Sequence, residues 1–343
     1  MKIIQVIGNL GFGGAERVVV NNHLMFKKFG FESKIITLKG DNFYKVNKED
    51  LIVLNLSKKS KKASIEILNY VNKFEANLVL LHMHDMSRIF KNYYDKRFFN
   101  VIHSDWYERI KKENFFKRFK MINDFRKIYN KKNIITVSEG IKNNFLKFNF
   151  DVNFITTIYN PFDEERILKM SNEFDVKDKD YIVHVASLRK VKRQDILLKA
   201  YKKANLKEKL LIIGDGKEKD NLIKLSKKLK IENKVKFLGL KENPYPYIKN
   251  AKLFVLSSEA EGLPTVLIES LILKTPIVST NCNSGPREIL IKELSLYLAK
   301  VNDIDDLADK IKRALIFYPK INKDYYQKFL DKNILNQYIN LIR

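Results

Sequence analysis

Residues 181–216 read YIVHVASLRKVKRQDILLKAYKKANLKEKLLIIGDG. An apolar, β-rich run (YIVHVA) enters a basic turn, helical periodicity follows from Gln194 to Lys203, and a second apolar run (KLLIIG) closes the stretch. Antiparallel neighbours need only a short hairpin, whereas a parallel return needs a crossover of this length, so the stretch is a βαβ unit.

The same alternation extends in both directions. Apolar runs KIIQVIG, SKIITL, LIVLNL, LVLLHM, FNVIH, NIITVS and FITTIY precede it, and KVKFLG, KLFVLS and TPIVST follow. Between them, Ala15 to Phe29 and Lys217 to Leu229 have the length and spacing of crossover helices. The expectation is an α/β chain of two Rossmann-like, doubly wound parallel-sheet domains. Its 343 residues suit about two domains. All seven prolines lie at or after Pro161, so the linker is expected near residues 160 to 175. This gives domains over 1–165 and 166–320, facing across a cleft at the carboxyl ends of their strands, where open α/β sheets bind ligands. Apolar and aromatic residues at helical spacing (Tyr326, Phe329, Leu330, Ile334, Tyr338, Leu341) predict a terminal helix over 321–343, either packing at the domain junction or covering a core in the ordinary way. No fixed-period repeat is present, which excludes solenoids.

Composition narrows the function classes. A single cysteine, Cys282, excludes an internal disulfide framework and a four-cysteine zinc site, and suits a reducing compartment. No run reaches the 18 or so apolar residues of a spanning helix, and the N-terminal run enters glycines and an acid, unlike a signal peptide. The formal charge of +25 favours anionic partners: nucleic acid, an acidic membrane or phosphorylated substrates. Lysine is abundant throughout, so part of that excess belongs to solvated faces.

Four of the 12 glycines (Gly8, Gly11, Gly13 and Gly14) fall between the first strand and its helix. There, side-chain-free residues let backbone amides approach an anion beside a helix N-terminus. Reading GFGGAE as the dinucleotide fingerprint leaves Glu16 where the third glycine should stand, which argues against a nicotinamide dehydrogenase. In the second half, Arg189, Lys190, Lys192 and Arg193 crowd the turn after a strand, and Gly214 and Gly216 repeat the strand-glycine-turn pattern. In residues 257–280, SSEAEGLPTVLIESLILKTPIVST, Glu261 precedes a helix whose start is marked by Pro264, and Glu269 lies about a turn and a half inside it. Both can face one cavity.

The block SSEAEGLPTVLIES, with two glutamates flanking seven residues, resembles the signature of the family-4 retaining glycosyltransferases of the GT-B fold. IGNLGFGGAERVVVN, TVSEGIKNNF, YNPFD, LRKVKRQDILLKAY, LIIGDGKEKDNL and FLGLKENPYPYIKNAKLFVLSS fall in that family's order, so the resemblance spans most of the chain. EGLPTVLIES and SGPREIL look most like bacterial transferases of hexose or N-acetylhexosamine from UDP-sugars to lipid-linked, lipopolysaccharide or capsule glycans. The resemblance implies that Gly13 and Gly14 border the donor phosphates and acceptor, Lys192 neutralises the diphosphate, Glu269 accepts from the ribose hydroxyls, and Glu261 holds the donor sugar. It also implies backbone contacts at Leu263, Pro264, Thr265 and Val266, a site contact at Gly214, and a cleft histidine at His103. Many members carry Arg-Leu before the phosphate lysine. This chain has Ser187-Leu188 there, with Arg189 displaced by two positions, where it either replaces that cation from the same turn or points its side chain away. The resemblance implies front-face displacement with no metal and no cofactor beyond the nucleotide-sugar donor.

His82 and His84 are expected on one strand face, followed by Asp85, but lack the further ligands of a metal centre. His23 and His184 read as packing residues, and Asp303, Asp305 and Asp306 as a helix cap. Between Tyr107 and Lys132 the chain carries ten Lys or Arg, three acids and six aromatics. Phe115, Phe119, Ile122, Phe125 and Tyr129 repeat on one helical face, which meets either the sheet or an anionic membrane. No nucleic-acid-binding module accompanies that stretch, so no nucleic-acid partner is expected. The expected location is cytoplasmic, peripheral to the inner face of the cytoplasmic membrane. Two alternatives are a GT-B-like nucleotide-sugar epimerase and a nonenzymatic basic protein binding membranes or nucleic acid.

Overall fold

A parallel strand covered by helices on both faces must be apolar along its whole length rather than on alternate residues. Leu78–His82, Phe98–Ile102 and Leu253–Leu256 meet this condition and are buried at every position. The structure, a computed structural model, describes residues 1–58 and 60–342.

Two units divide the chain, one formed by Met1–Pro161 with Asp331–Arg343 and the other by Phe162–Leu330. The first contains β1 (Lys2–Ile7), β2 (Glu32–Thr37), β3 (Leu51–Val53), β4 (Leu78–His82), β5 (Phe98–Ile102), β6 (Asn133–Thr136) and β7 (Phe154–Thr157). Their order is β3-β2-β1-β4-β5-β6-β7. The second contains β8 (Tyr181–Val185), β9 (Lys209–Ile213), β10 (Val235–Gly239), β11 (Leu253–Leu256), β12 (Ile277–Thr280) and β13 (Leu298–Ala299), ordered β10-β9-β8-β11-β12-β13. Every named pairing is parallel, and β1 runs against β2 from Lys2↔Glu32 to Ile7↔Thr37 without a slip. Both sheets are doubly wound, as the sequence predicts.

Crossover helices form close to their expected limits, at Gly14–Lys28, Gln194–Ala204 and Lys219–Lys228. The first turns Val18, Val19, Met25 and Phe26 into its sheet. Asp303 caps the helix Ile304–Ile316 by accepting from the backbone N–H groups of Asp305 and Asp306, which supplies partners for donors a helix start otherwise leaves unpaired.

The expected single helix over 321–343 does not form. Lys323–Tyr325 and Gln327–Phe329 are 3-10 turns, and an α-helix begins only at Asp331, running to Asn340. Phe162 donates its N–H to the Phe329 carbonyl at 3.0 Å, and Phe162 and Leu330 form a parallel bridge that holds Leu330 extended. Residues up to Leu330 therefore belong to the second unit, while the helix Asp331–Asn340 belongs to the first. Its Tyr338 packs edge-on against Phe26 at 5.2 Å and receives a hydrogen bond from Asn22. Arg343 lies outside the described residues.

Candidate functional site

In an open α/β sheet the ligand crevice lies where successive connections leave in opposite directions. The strand orders place that point between β8 and β11 in the second unit and between β1 and β4 in the first.

In the second unit, β8 ends at Val185 and the chain passes through Ala186–Arg189 into a 3-10 turn, Lys190–Lys192. Arg193 then takes a left-handed conformation, φ 48°, and starts the next helix. β11 ends at Leu256, and residues 257–264 lead to the helix Thr265–Ile272. The two segments are tied together. Glu259 N donates to Val191 O at 2.8 Å and Ser257 Oγ to Lys192 O at 2.9 Å. Across this seam Lys192 Nζ lies 2.6 Å from Glu261 Oε1, with the side chains only 17% and 10% exposed. Ser258 Oγ donates to the same carboxylate oxygen at 2.5 Å. Such largely desolvated, charge-assisted bonds are stronger than exposed ion pairs.

His184 lies behind this pair as a neutral brace. Its Nδ1 donates to the Val255 carbonyl at 2.8 Å, which leaves Nε2 to accept from Gln194 Nε2 at 3.2 Å. Burial holds its pKa down to about 4. The expected packing role is what the structure shows, and the ring joins β8 to β11 at the crevice. Glu269 is buried on the helix Thr265–Ile272 and accepts from the Tyr245 hydroxyl at 3.3 Å. Leu263, Pro264, Thr265 and Val266 occupy the entry to that helix, with Pro264 as the N-cap residue.

Gly214 and Gly216 have a steric reason to be glycine. At φ 137°, a Cβ on Gly214 would stand 1.9 Å from the Ala186 carbonyl oxygen, and one on Gly216 (φ 153°) 2.4 Å from the Leu188 oxygen. The turn after β9 thus lies directly on the turn after β8, reinforced by Leu188 N donating to Asp215 O at 2.9 Å. Arg189 does not join the Lys192–Glu261 pair in this arrangement: it is exposed and donates through Nε to Ser187 Oγ at 3.1 Å.

In the first unit, the loop after β1 is fastened to residues 41–44. Leu10 N donates to Asp41 O and the Tyr44 hydroxyl to Gly13 O at 2.8 Å. Gly14 opens the helix, and a Cβ on Gly13 would fall 2.1 Å from Glu16 Oε2, so the Glu16 carboxylate lies over this loop. His103 follows β5, and its Nε2 meets Nδ1 of His82, at the end of β4, at 2.9 Å with the rings stacked. Burial lowers both rings, His103 to about 4. They are neutral and share one proton along that contact. His82 Nε2 is buried without a partner among the described residues.

His82 and His84 do not share a strand face. The backbone turns at Met83, φ 74°, and His84 begins the helix His84–Ile89. Its ring stacks on Phe125 at 4.6 Å and bonds the Tyr129 hydroxyl at 3.0 Å. Among the described residues no three His, Cys, Asp or Glu side chains converge as metal ligands. His23 packs inside the first helix but also contacts Ser33 Oγ at 2.9 Å and Asp50.

The basic stretch 107–132 forms two helices, Trp106–Lys111 and Phe115–Tyr129. The aromatic face expected to be continuous splits. Phe125 and Tyr129 are buried among Trp106, Phe145 and Phe148, whereas Phe115, Phe116 and Phe119 are 76%, 83% and 61% exposed. No helix among the described residues is long and apolar enough to cross a membrane.

Sequence reasoning missed Tyr245, the Ser257 and Ser258 contacts and the His184 brace. Tyr245 stands in one of the quoted blocks, but nothing local marks its hydroxyl as Glu269's partner.

Comparison with known proteins agrees with this architecture. A crystal structure of Anabaena HepE in complex with UDP and glucose superposes with a TM-score of 0.79, covering 99% of this chain and 98% of that one at 18% identity. Two doubly wound parallel sheets of this kind define the GT-B glycosyltransferase fold. The family model for glycosyl transferases group 1 matches residues 166–327. An uncharacterized glycosyltransferase of Methanocaldococcus jannaschii is 30% identical over 307 residues, 79% of this chain and 74% of the relative. The chain belongs to the glycosyl transferases of group 1. A Campylobacter jejuni N-acetylgalactosamine-N,N'-diacetylbacillosaminyl-diphospho-undecaprenol 4-alpha-N-acetylgalactosaminyltransferase is 35% identical over 172 residues, spanning 50% of this chain and 47% of that protein.

Proposed function

We propose that the protein is a retaining, family-4 hexosyltransferase that moves a hexose or N-acetylhexosamine from a UDP-sugar to a lipid-linked, lipopolysaccharide or capsule glycan. The observation that carries this reading is the Lys192–Glu261 pair at the second unit's crevice.

Breaking the anomeric bond builds positive charge on the sugar and negative charge on the departing diphosphate. Lys192 neutralises the diphosphate, together with Arg189 once its exposed side chain swings from Ser187. The N–H groups of Leu263, Thr265 and Val266 and the carbonyl of Pro264 line the sugar and phosphates. Preorganised donors of this kind act where charge develops and need no reorganisation during the step. Glu261 orients the donor sugar, and Glu269, steadied by Tyr245, accepts from the ribose hydroxyls. Gly214 keeps the neighbouring turn clear. The anomeric carbon–oxygen bond to the β-phosphate breaks as the acceptor oxygen bonds the same face, and the acceptor's proton passes to the leaving diphosphate. No metal or further cofactor takes part.

Gly13 and Gly14 border the acceptor and the donor phosphates. The Glu16 carboxylate over that loop accepts from the acceptor's hydroxyls. Neutral His103 accepts or donates a hydrogen bond there without adding charge. The enzyme works in the cytoplasm, held peripherally on the anionic inner face of the cytoplasmic membrane by residues 107–132. Phe115, Phe116 and Phe119 enter the interface and neighbouring lysines meet the headgroups.

The test is a panel of UDP- and other nucleotide sugars offered with polyprenyl-diphosphate glycans and lipopolysaccharide cores, with product anomers read by NMR. Transfer with retained configuration is expected. Isomerised donor without acceptor would make the protein an epimerase. Salt-sensitive vesicle or oligonucleotide binding that survives loss of both glutamates, with no turnover, would make it a nonenzymatic binder.

A further inference from the structure

The turn carrying Glu261 is gripped from the far side by a segment to which the family resemblance assigns no role. β12 ends at Thr280, and the chain continues through Asn281–Ser284 to a short helix, Pro286–Ile289. Alternate residues of this segment reach the same target. Thr280 Oγ1 donates to the Ser258 carbonyl at 2.6 Å, Cys282 Sγ to that same carbonyl at 3.0 Å, and Ser284 Oγ to the Glu261 carbonyl at 2.5 Å. All three side chains are buried. Both lone pairs of the Ser258 carbonyl are thereby taken, and the Ser258 hydroxyl is left to hold Glu261 Oε1.

The contact continues one residue further. Gly285 has φ 87°, and a Cβ there would stand 2.5 Å from Pro264 Cδ and 2.9 Å from the Gly262 oxygen. The segment after β12 therefore lies flat against the turn that feeds the helix Thr265–Ile272.

We propose that Thr280, Cys282 and Ser284 are positioning residues, a three-rung ladder that fixes the 258–264 turn so that Glu261 stays beside Lys192 and the helix-start N–H groups keep one orientation. The function of the ladder rests on the donor-binding reading above; its existence as an ordering device does not. A lone thiol is a weak donor, but here it is the middle member of a set whose other two members are hydroxyls aimed at the same backbone.

Hydrogen exchange measured by mass spectrometry on ligand-free protein tests the ladder without any substrate. In Ser284→Ala, amides of residues 258–266 should exchange about fivefold faster, the value of one net hydrogen bond. Peptides covering β8 and β11 should be unchanged, and the melting temperature should fall by only about 2–4 °C. Cys282→Ala should show a smaller rise over the same residues, and Cys282→Ser, which keeps a donor, should return to the wild-type rate. In donor kinetics, Ser284→Ala should raise the nucleotide-sugar KM about fivefold with kcat within about twofold, the signature of lost uniform binding. Wild-type exchange in both Ser284→Ala and Cys282→Ala overturns the ladder, and so does a rise spread over the whole second unit. If wild-type protein handles no nucleotide sugar but exchange responds as described, the transferase reading falls while the ladder stands.

Discussion

The two crevices share a topology and differ in electrostatics. Between β8 and β11, a lysine and a glutamate are locked together with the Ser258 hydroxyl, and a second carboxylate is buried on the helix that follows. In the first unit, glycines follow β1 with an acid over their loop, and two neutral histidines stand at the ends of β4 and β5. One backbone plan thus supports a charged pole and a nearly uncharged one. The difference suits a reaction in which negative charge builds on one substrate while the other presents a neutral hydroxyl, because fixed positive charge is useful where negative charge accumulates and wasteful at a hydroxyl.

Removing the charge should have the largest effect. Lys192→Ala is expected to lower kcat for transfer by about 100- to 1,000-fold, roughly 3 kcal/mol. His103→Gln should leave UDP binding close to wild type; equal losses in both variants would erase the proposed division between the crevices. Acid should come next. His103 and His184 are held near 4 by burial, against an ordinary 6.5. The unfolded chain binds those protons first, so their contribution to stability is complete above about pH 6.5 and is lost as pH falls toward 4. Each accounts for roughly 3 kcal/mol. Denaturant titrations between pH 7 and 4 should show that slope, and His184→Gln should flatten it.

Smaller changes sharpen the picture. Glu269→Gln should weaken UDP binding by about 2 kcal/mol, as expected for hydrogen bonds to an ionised acceptor, when read by calorimetry. Tyr245→Phe, which only frees that carboxylate's position, should cost about 1 kcal/mol in the same titration. At the small end, Phe115→Ser with Phe116→Ser should abolish sedimentation with anionic vesicles while moving the melting temperature little, since surface substitutions usually stay within about 0.5 kcal/mol.

Much of this was legible before any coordinates. Long buried strands are recognisable because a parallel sheet demands unbroken apolar runs. The two-residue β13 was not, since Leu298–Ala299 is too short to show a periodicity of its own. The terminal helix was overextended for a related reason: spacing alone does not reveal that Phe162 pins Leu330 in an extended conformation. At the site, Lys192 and Glu261 stood out through their positions after strands. The Thr280, Cys282 and Ser284 contacts did not, because a hydroxyl or thiol acquires meaning only from the carbonyl it happens to face, some 20 residues away in sequence. His84 leaves the face that alternation assigns it because the backbone turns at Met83, and the strand ends at His82, two residues short of it.

The helix Asp331–Asn340 packs with the first unit but is translated after the whole of the second. On the ribosome, the early half of the protein must therefore wait, with Phe26 and Asn22 uncovered, while its successor emerges and folds. Completion of the amino-terminal unit is in this way timed by a helix that is synthesised only after the second unit.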